Sequence, residues 1–158
     1  MFFKKDIPDS IEVFRELMKA AVKSGGYFRS SDLKKFKNPD QTKELLNDMV
    51  RDGAVTINVI NKNEYEYMFS TVSEKYEPAQ VQNLGEFDNI LTEMGMGAED
   101  GQVFLSEIIF AFDMEYSDII EAFEIYSQNG FVTKNISKSG NVYLMFDKEE
   151  MNGGSNGA

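Results

Sequence analysis

Hydrophobic positions in this chain change their spacing in the same order twice. Asp9 or Ser10 suits the N-cap of a first helix, with Glu12 and Glu16 near the positive end of its dipole. Ile11, Phe14, Met18, Ala21 and Val22 follow at helical spacing. Gly25-Gly26 stops that helix, and Tyr27-Phe28-Arg29 reads as a short extended segment. Ser30 or Ser31 starts a second helix carrying Leu33 and Phe36. Asp40 caps a third, with Leu45, Leu46, Met49 and Val50 inward and Gly53 closing it. Residues 54–60 and 64–70 are β-rich runs on either side of Asn61-Lys62-Asn63, which predicts a hairpin.

The second half repeats the order. Phe87, Ile90 and Met94 predict a helix that dissolves at Gly95-Met96-Gly97, and residues 102–105 predict a short strand. Ser106 is placed to cap a helix with Ile109 and Phe112. Ser117 is placed to cap the next, where Ala122, Phe123 and Tyr126 face inward and Gly130 ends the run. Residues 131–136 and 142–146 make a second hairpin through Ser137-Lys138-Ser139-Gly140. Residues 46–70 and 123–147 align without a gap: Gly53, Val55, Thr56, Asn58, Met68 and Phe69 recur as Gly130, Val132, Thr133, Asn135, Met145 and Phe146. One supersecondary unit is used twice. The expected organisation is a first unit over 1–70, a linker containing Pro78 over 71–86, a second unit over 87–147, and a disordered tail over 148–158.

Helix, short strand, helix, helix, hairpin is the order of a winged helix, and the chain resembles the winged-helix superfamily, in tandem across nearly its full length. The implied fold class is α+β and helix-rich. The resemblance rests on topology, and no residue marks a subfamily. Tandem winged helices serve transcription regulators, condensin accessory subunits and membrane-sorting complexes, so function has to be argued from sites.

Composition narrows the chemistry. With 42% hydrophobic residues, the 158-residue chain can build a real core, although each unit alone is small and is expected to lean on the other or on a partner. There is no cysteine and no histidine, which excludes disulfides, thiolate or imidazole metal sites, and Ser-His or Cys-His catalysis. No stretch approaches the roughly 20 apolar residues of a membrane span, and the start MFFKKDIPDS has no apolar run of a signal peptide. A soluble, cytoplasmic protein without a membrane partner is expected. The net charge of −11 is unevenly placed. Residues 1–78 hold 13 Lys+Arg against 13 Asp+Glu, and residues 79–158 hold 3 against 14. The whole excess lies in the second half.

Calcium fails on its ligands. Setting Gly26 at the sixth position of an EF-hand loop puts Ala21 and Lys23 at positions one and three, and Gly101 puts Met96 and Ala98 there. Gly53 or Gly130 leaves Val59 or Ile136 where the bidentate Glu belongs. The acid pairs Glu99-Asp100, Asp113/Glu115 and Glu149-Glu150 read as caps, turns or solvated tail. No lysine-bearing phosphate loop surrounds Gly95-Met96-Gly97. The chain is therefore expected to have no catalytic residues, metal or cofactor, and not to be an enzyme.

Two surfaces remain. The resemblance implies that the third helix and the wing of the first unit could meet nucleic acid, through Arg29, Lys34, Lys35, Lys37, Lys43 and Lys62. Glu44, Asp48 and Asp52 dilute that charge, and the matching helix of the second unit shows Asp118, Glu121 and Glu124, which repel phosphate. Any nucleic-acid contact is thus expected through the first unit only. Aligning Phe28 with Phe104 and Phe36 with Phe112 instead sets hydrophobic residues of the second unit against charges of the first. Leu91 stands for Arg15, Ile108 for Asp32 and Phe110 for Lys34, and, with a one-residue shift before the third helix, Ile120 stands for Lys43 and Ile125 for Asp48. Leaving the Phe110 ring in water forgoes about 1.5–3 kcal/mol. Leu91, Ile108, Phe110, Met114, Ile120 and Ile125 are therefore the candidate partner-binding residues, covered by the first unit, a second copy or another protein, unless Phe110 joins an ordinary core. The leading expectation is a non-catalytic adaptor or dimerising protein whose acidic second unit docks a protein partner or forms a homodimer. A DNA-binding regulator and an acidic DNA mimic are the alternatives.

Overall fold

The gap-free repeat in the sequence reappears as identical strand register. In a computed structural model, which describes residues 10–151, Val55 pairs with Phe69, Thr56 with Met68 and Ile57 with Tyr67; in the second half Val132 pairs with Phe146, Thr133 with Met145 and Lys134 with Leu144. The elements run α1 (Ser10–Ser24), β1 (Tyr27–Arg29), a 3-10 helix (Ser30–Lys35), α2 (Pro39–Arg51), β2 (Val55–Asn61), β3 (Glu64–Phe69), then α3 (Leu84–Gly97), β4 (Gln102–Phe104), α4 (Leu105–Ala111), α5 (Tyr116–Tyr126), β5 (Val132–Ile136) and β6 (Val142–Phe146). The protein is α+β, with two three-stranded antiparallel sheets ordered β1-β3-β2 and β4-β6-β5.

Local chemistry sets most boundaries, and several differ from the sequence expectation. α2 starts at Pro39 behind Asn38, not at Asp40, because proline suits the first turn of a helix. Ser106 and Ser117 are not caps. Ser106 lies inside α4 and is fully buried, and α5 begins one residue before Ser117. α3 runs through Gly95-Met96-Gly97 instead of dissolving there. Gly95 is buried, and a Cβ at that position would fall 2.3 Å from the Phe146 ring. The glycine is an aromatic seat, not a helix stop. α3 also begins inside the stretch read as linker, at Leu84. Residues 1–9, where an N-cap was expected, and 152–158 lie outside the described residues, but 148–151, assigned to the disordered tail, form a helical turn in which Met151 N–H donates to the Asp147 carbonyl at 3.0 Å.

The linker itself is tied down. Ala79 bridges to Phe112, its N–H donating to the Ala111 carbonyl at 2.8 Å and its carbonyl accepting from Asp113 N–H at 2.8 Å. Phe14, Leu17, Met18, Leu46, Met49 and Tyr67 of the first half share one buried cluster with Phe87, Leu91, Ile109, Phe112, Phe123 and Leu144 of the second. Gly53 sits at the junction with φ +85°, and its carbonyl accepts from Val142 N–H at 3.1 Å. A Cβ there would come 2.6 Å from Val142 Cγ2 and 2.9 Å from the Gly140 carbonyl. Gly53 thus ends α2 and also lets the second hairpin approach the first unit.

Candidate interaction surface

Of the six candidate partner-binding residues, three are unavailable. Leu91 and Ile108 are fully buried, and Phe110 is 4% exposed. The Phe110 ring stands edge-on to Phe69 of β3 at 5.9 Å and to Tyr76 of the linker at 6.0 Å. The first unit and the linker therefore occupy the surface that sequence spacing left open among several occupants. The expected alignment slips by one residue here. Arg29 N–H donates to Asp32 Oδ2 at 2.9 Å, and Phe104 N–H donates to Glu107 Oε1 at 2.9 Å. Arg29 therefore matches Phe104, and Leu33 matches Ile108, both buried. α4 then carries one more residue than the 3-10 helix, which brings Phe36 and Phe112 back into step as extended C-caps. Ile108 replaces a core leucine, not a surface aspartate.

Around Phe110 the junction is polar as well as aromatic. Ser106 Oγ hydrogen-bonds Thr71 Oγ1 at 2.7 Å and also Ser70 Oγ. Arg15 reaches Asp113 Oδ1 with both Nε (2.7 Å) and a terminal nitrogen (2.6 Å). Tyr116 O–H donates to Asp52 Oδ2 at 2.6 Å, and its ring lies 6.2 Å from Phe14. Burial, reinforced by that aspartate, raises the Tyr116 phenol well above its ordinary pKa.

The other three candidates lie nearer the surface. Met114 and Ile120 are half-buried against the core, and Ile125, in the last turn of α5, is 48% exposed. Ile119, Ala122, Phe123 and Tyr126 take the inner face of α5. Asp118, Glu121 and Ile125, at spacings of three and four, line up on the outer face. Together with Val81, Leu84 and Met114 they line a groove of about 300 Å³ between α5 and the start of α3. Asn83 fixes that start: its side chain accepts from Glu86 N–H at 2.9 Å, while Glu86 Oε1 accepts from Gln82 N–H at 2.6 Å. This cap sits beside an exposed Leu84. One turn along α3, burial raises the Asp88 carboxyl, whose Oδ1 has no hydrogen-bond partner. Sequence reasoning missed Val81 and Leu84, having assigned both to the linker. A signal was present, since no lysine or arginine occurs between Lys75 and Lys134.

Arg29, Lys34, Lys35, Lys37, Lys43 and Lys62 are all exposed. They are interleaved with acids. Lys35 pairs with Asp32 at 3.5 Å and Arg51 with Asp48 at 2.7 Å. Arg29 Nε donates to Tyr27 O–H at 3.0 Å, which raises the guanidinium further, and Tyr27 O–H donates to Glu66. Glu64 is held below the usual carboxylate range by Ser30 Oγ and by Ser31 N–H. The expected acid pairs have structural partners: Asp100 Oδ1 accepts from Gln102 N–H, Asp113 meets Arg15, and Asp147 Oδ1 caps Glu150. Among the described residues no group of Asp and Glu could hold a metal ion, and no helix is long and apolar enough to cross a membrane. Compared with known proteins, the chain matches no protein family, no curated protein and no solved structure.

Proposed function

We propose that this chain is a non-catalytic interaction protein, two winged-helix units in tandem, whose acidic second unit docks a basic and partly apolar segment of another protein. The observation that carries the reading is the outer face of α5: an exposed Ile125 in line with Asp118 and Glu121, beside Leu84 and Met114, in a stretch without a cation. Apolar contact supplies affinity there, and the carboxylates select the sign of the partner and speed its approach. The fitting ligand is an amphipathic helix with leucines at i, i+3 and i+7 flanked by lysines.

A synthetic helix of that design, titrated into isotope-labelled protein, should shift the amide resonances of α5 and of the start of α3. Ile125→Glu should weaken binding about tenfold, or about 1.4 kcal/mol. Absent shifts, or equal binding of a glutamate-flanked helix, would end the proposal.

A second reading has its own support, because Lys34, Lys37, Lys43 and Lys62 all project from the first unit into solvent. As a DNA-binding regulator the chain should retard duplex DNA at about 50 mM salt, less so as salt rises and after Lys34→Glu/Lys35→Glu. Free migration of the DNA at that salt rejects this reading.

A further inference from the structure

Strand β2 reads VTINVIN and contains no charge, no proline and five β-branched residues. It is an edge of its sheet, since the order is β1-β3-β2. Val55 is buried, but every residue from Ile57 to Asn61 is exposed, Val59 to 69%. An uncharged, β-branched open edge is a template for another strand, and proteins ordinarily blunt such edges with lysine or proline. The second unit does so at the matching place. Lys134 stands where β2 has Ile57, its Nζ bonded to Glu124 Oε1 at 2.7 Å and 5.9 Å from the centre of the Phe123 ring. The opposite edge of the first sheet, β1, is only three residues long and carries Arg29.

We propose that β2 pairs antiparallel with β2 of a second copy of this chain, joining two three-stranded sheets into one of six strands. The charge distribution selects this occupant. The half that carries β2 is net neutral, with 13 cations and 13 anions in residues 1–78, and the excess of 11 negative charges belongs to residues 79–158. Dimerisation through the acidic unit would set those excesses against each other. The strand is also self-complementary. A two-fold axis at Asn58 places Ile57 opposite Val59 of the other copy, so these exposed apolar side chains cover one another, and the bulge at Ile60 ends the regular pairing there. Among the described residues each chain offers one such long uncharged edge, so the pairing is isologous and closes at two.

Sedimentation of the full chain over a dilution series should show a reversible monomer–dimer equilibrium. Val59→Lys, at a position open enough to leave the fold intact by circular dichroism, should leave only monomer at concentrations where the parent is dimeric. Ile57→Lys, which copies the second unit, should do the same. The chain has no cysteine. Asn58→Cys therefore reports the axis directly, because opposed residues of an antiparallel pair lie within disulfide range, and diamide should convert it to a covalent dimer. A parent that stays monomeric, a dimer indifferent to Val59→Lys, species larger than two, or no cross-link through Asn58→Cys would each overturn the proposal.

Discussion

In the first unit the helix after the short strand is a 3-10 segment that leaves Lys34 and Lys35 in solvent; in the second, the matching helix gains a residue, becomes α-helical and buries Ile108, Ile109 and Phe110. The hairpins differ at one position of the edge, with Ile57 of β2 open and its match Lys134 of β5 bonded to Glu124, while Val59 and its match Ile136 are equally exposed. The contact between units is not two-fold symmetric. Arg15 of α1 meets Asp113 ahead of α5, and Gly53 meets Val142, each joining non-equivalent places. One scaffold is used twice, and substitution gives the two copies different surfaces. The second unit turns its α4 side inward to the first, which frees the first unit's hairpin edge and the second unit's α5 for other contacts.

The sharpest break is at Phe110. Phe110→Ala should cost about 3–5 kcal/mol in urea unfolding of the full chain, since it removes a ring lodged between Phe69 and Tyr76. Lys35→Ala, on the corresponding helix of the first unit, should stay within about 0.5 kcal/mol. Equal costs at the two positions would mean that the junction contributes nothing beyond a solvated surface.

Tyr116→Phe comes next. Loss of the O–H bond to Asp52 should cost about 1–2 kcal/mol near neutral pH. The same variant alters the response to alkali. Burial raises the Tyr116 phenol, and pushes that of Tyr76 up to about 12, above an unfolded value near 10. The folded chain therefore holds these protons more tightly. Their contribution is complete below pH about 10 and is lost as pH climbs from there through the raised values. Between pH about 10 and 12, stability of the parent should fall steeply, and Tyr116→Phe should flatten that fall. An identical slope would show that Tyr116 ionises as freely in the fold as outside it.

Much of this architecture is legible in the sequence. The six-residue identity between the hairpins carried their register over unchanged, because a side-chain period of two admits no slip once Val55 and Tyr67 must face the core. Glycine misled. Gly95 resembles a helix stop, but its meaning lies in a ring 51 positions away, Phe146, and no local pattern carries that distance. Phe110 was correctly singled out as a ring needing cover, and its cover comes from Phe69 and Tyr76, which only tertiary structure brings near. Phe104 was the false anchor. It matches Arg29, not Phe28, and that one-residue error turned Ile108 from a core position into an apparent surface one. For the groove, Ile125 was visible from helical spacing, but Leu84 was hidden by a linker reading that ignored Asn83 as a cap.

Within the junction the smallest expected effect concerns charge. Arg15 and Asp113 join the units, yet the arginine side chain is 39% exposed and the aspartate 10%, so water already screens part of their attraction. Arg15→Gln should cost about 0.5–1 kcal/mol, and less as salt is added, because Asp113 keeps the amide of Gln80 at 3.3 Å and the N–H bond between its own backbone and Ala79. A double-mutant cycle with Asp113→Asn isolates the pair from the separate loss of Arg15 packing. If the coupling exceeded the cost of Phe110→Ala, the units would be held by their ion pair and not by the aromatic seam, and the contrast between a charged first helix face and a buried second one would lose its energetic meaning.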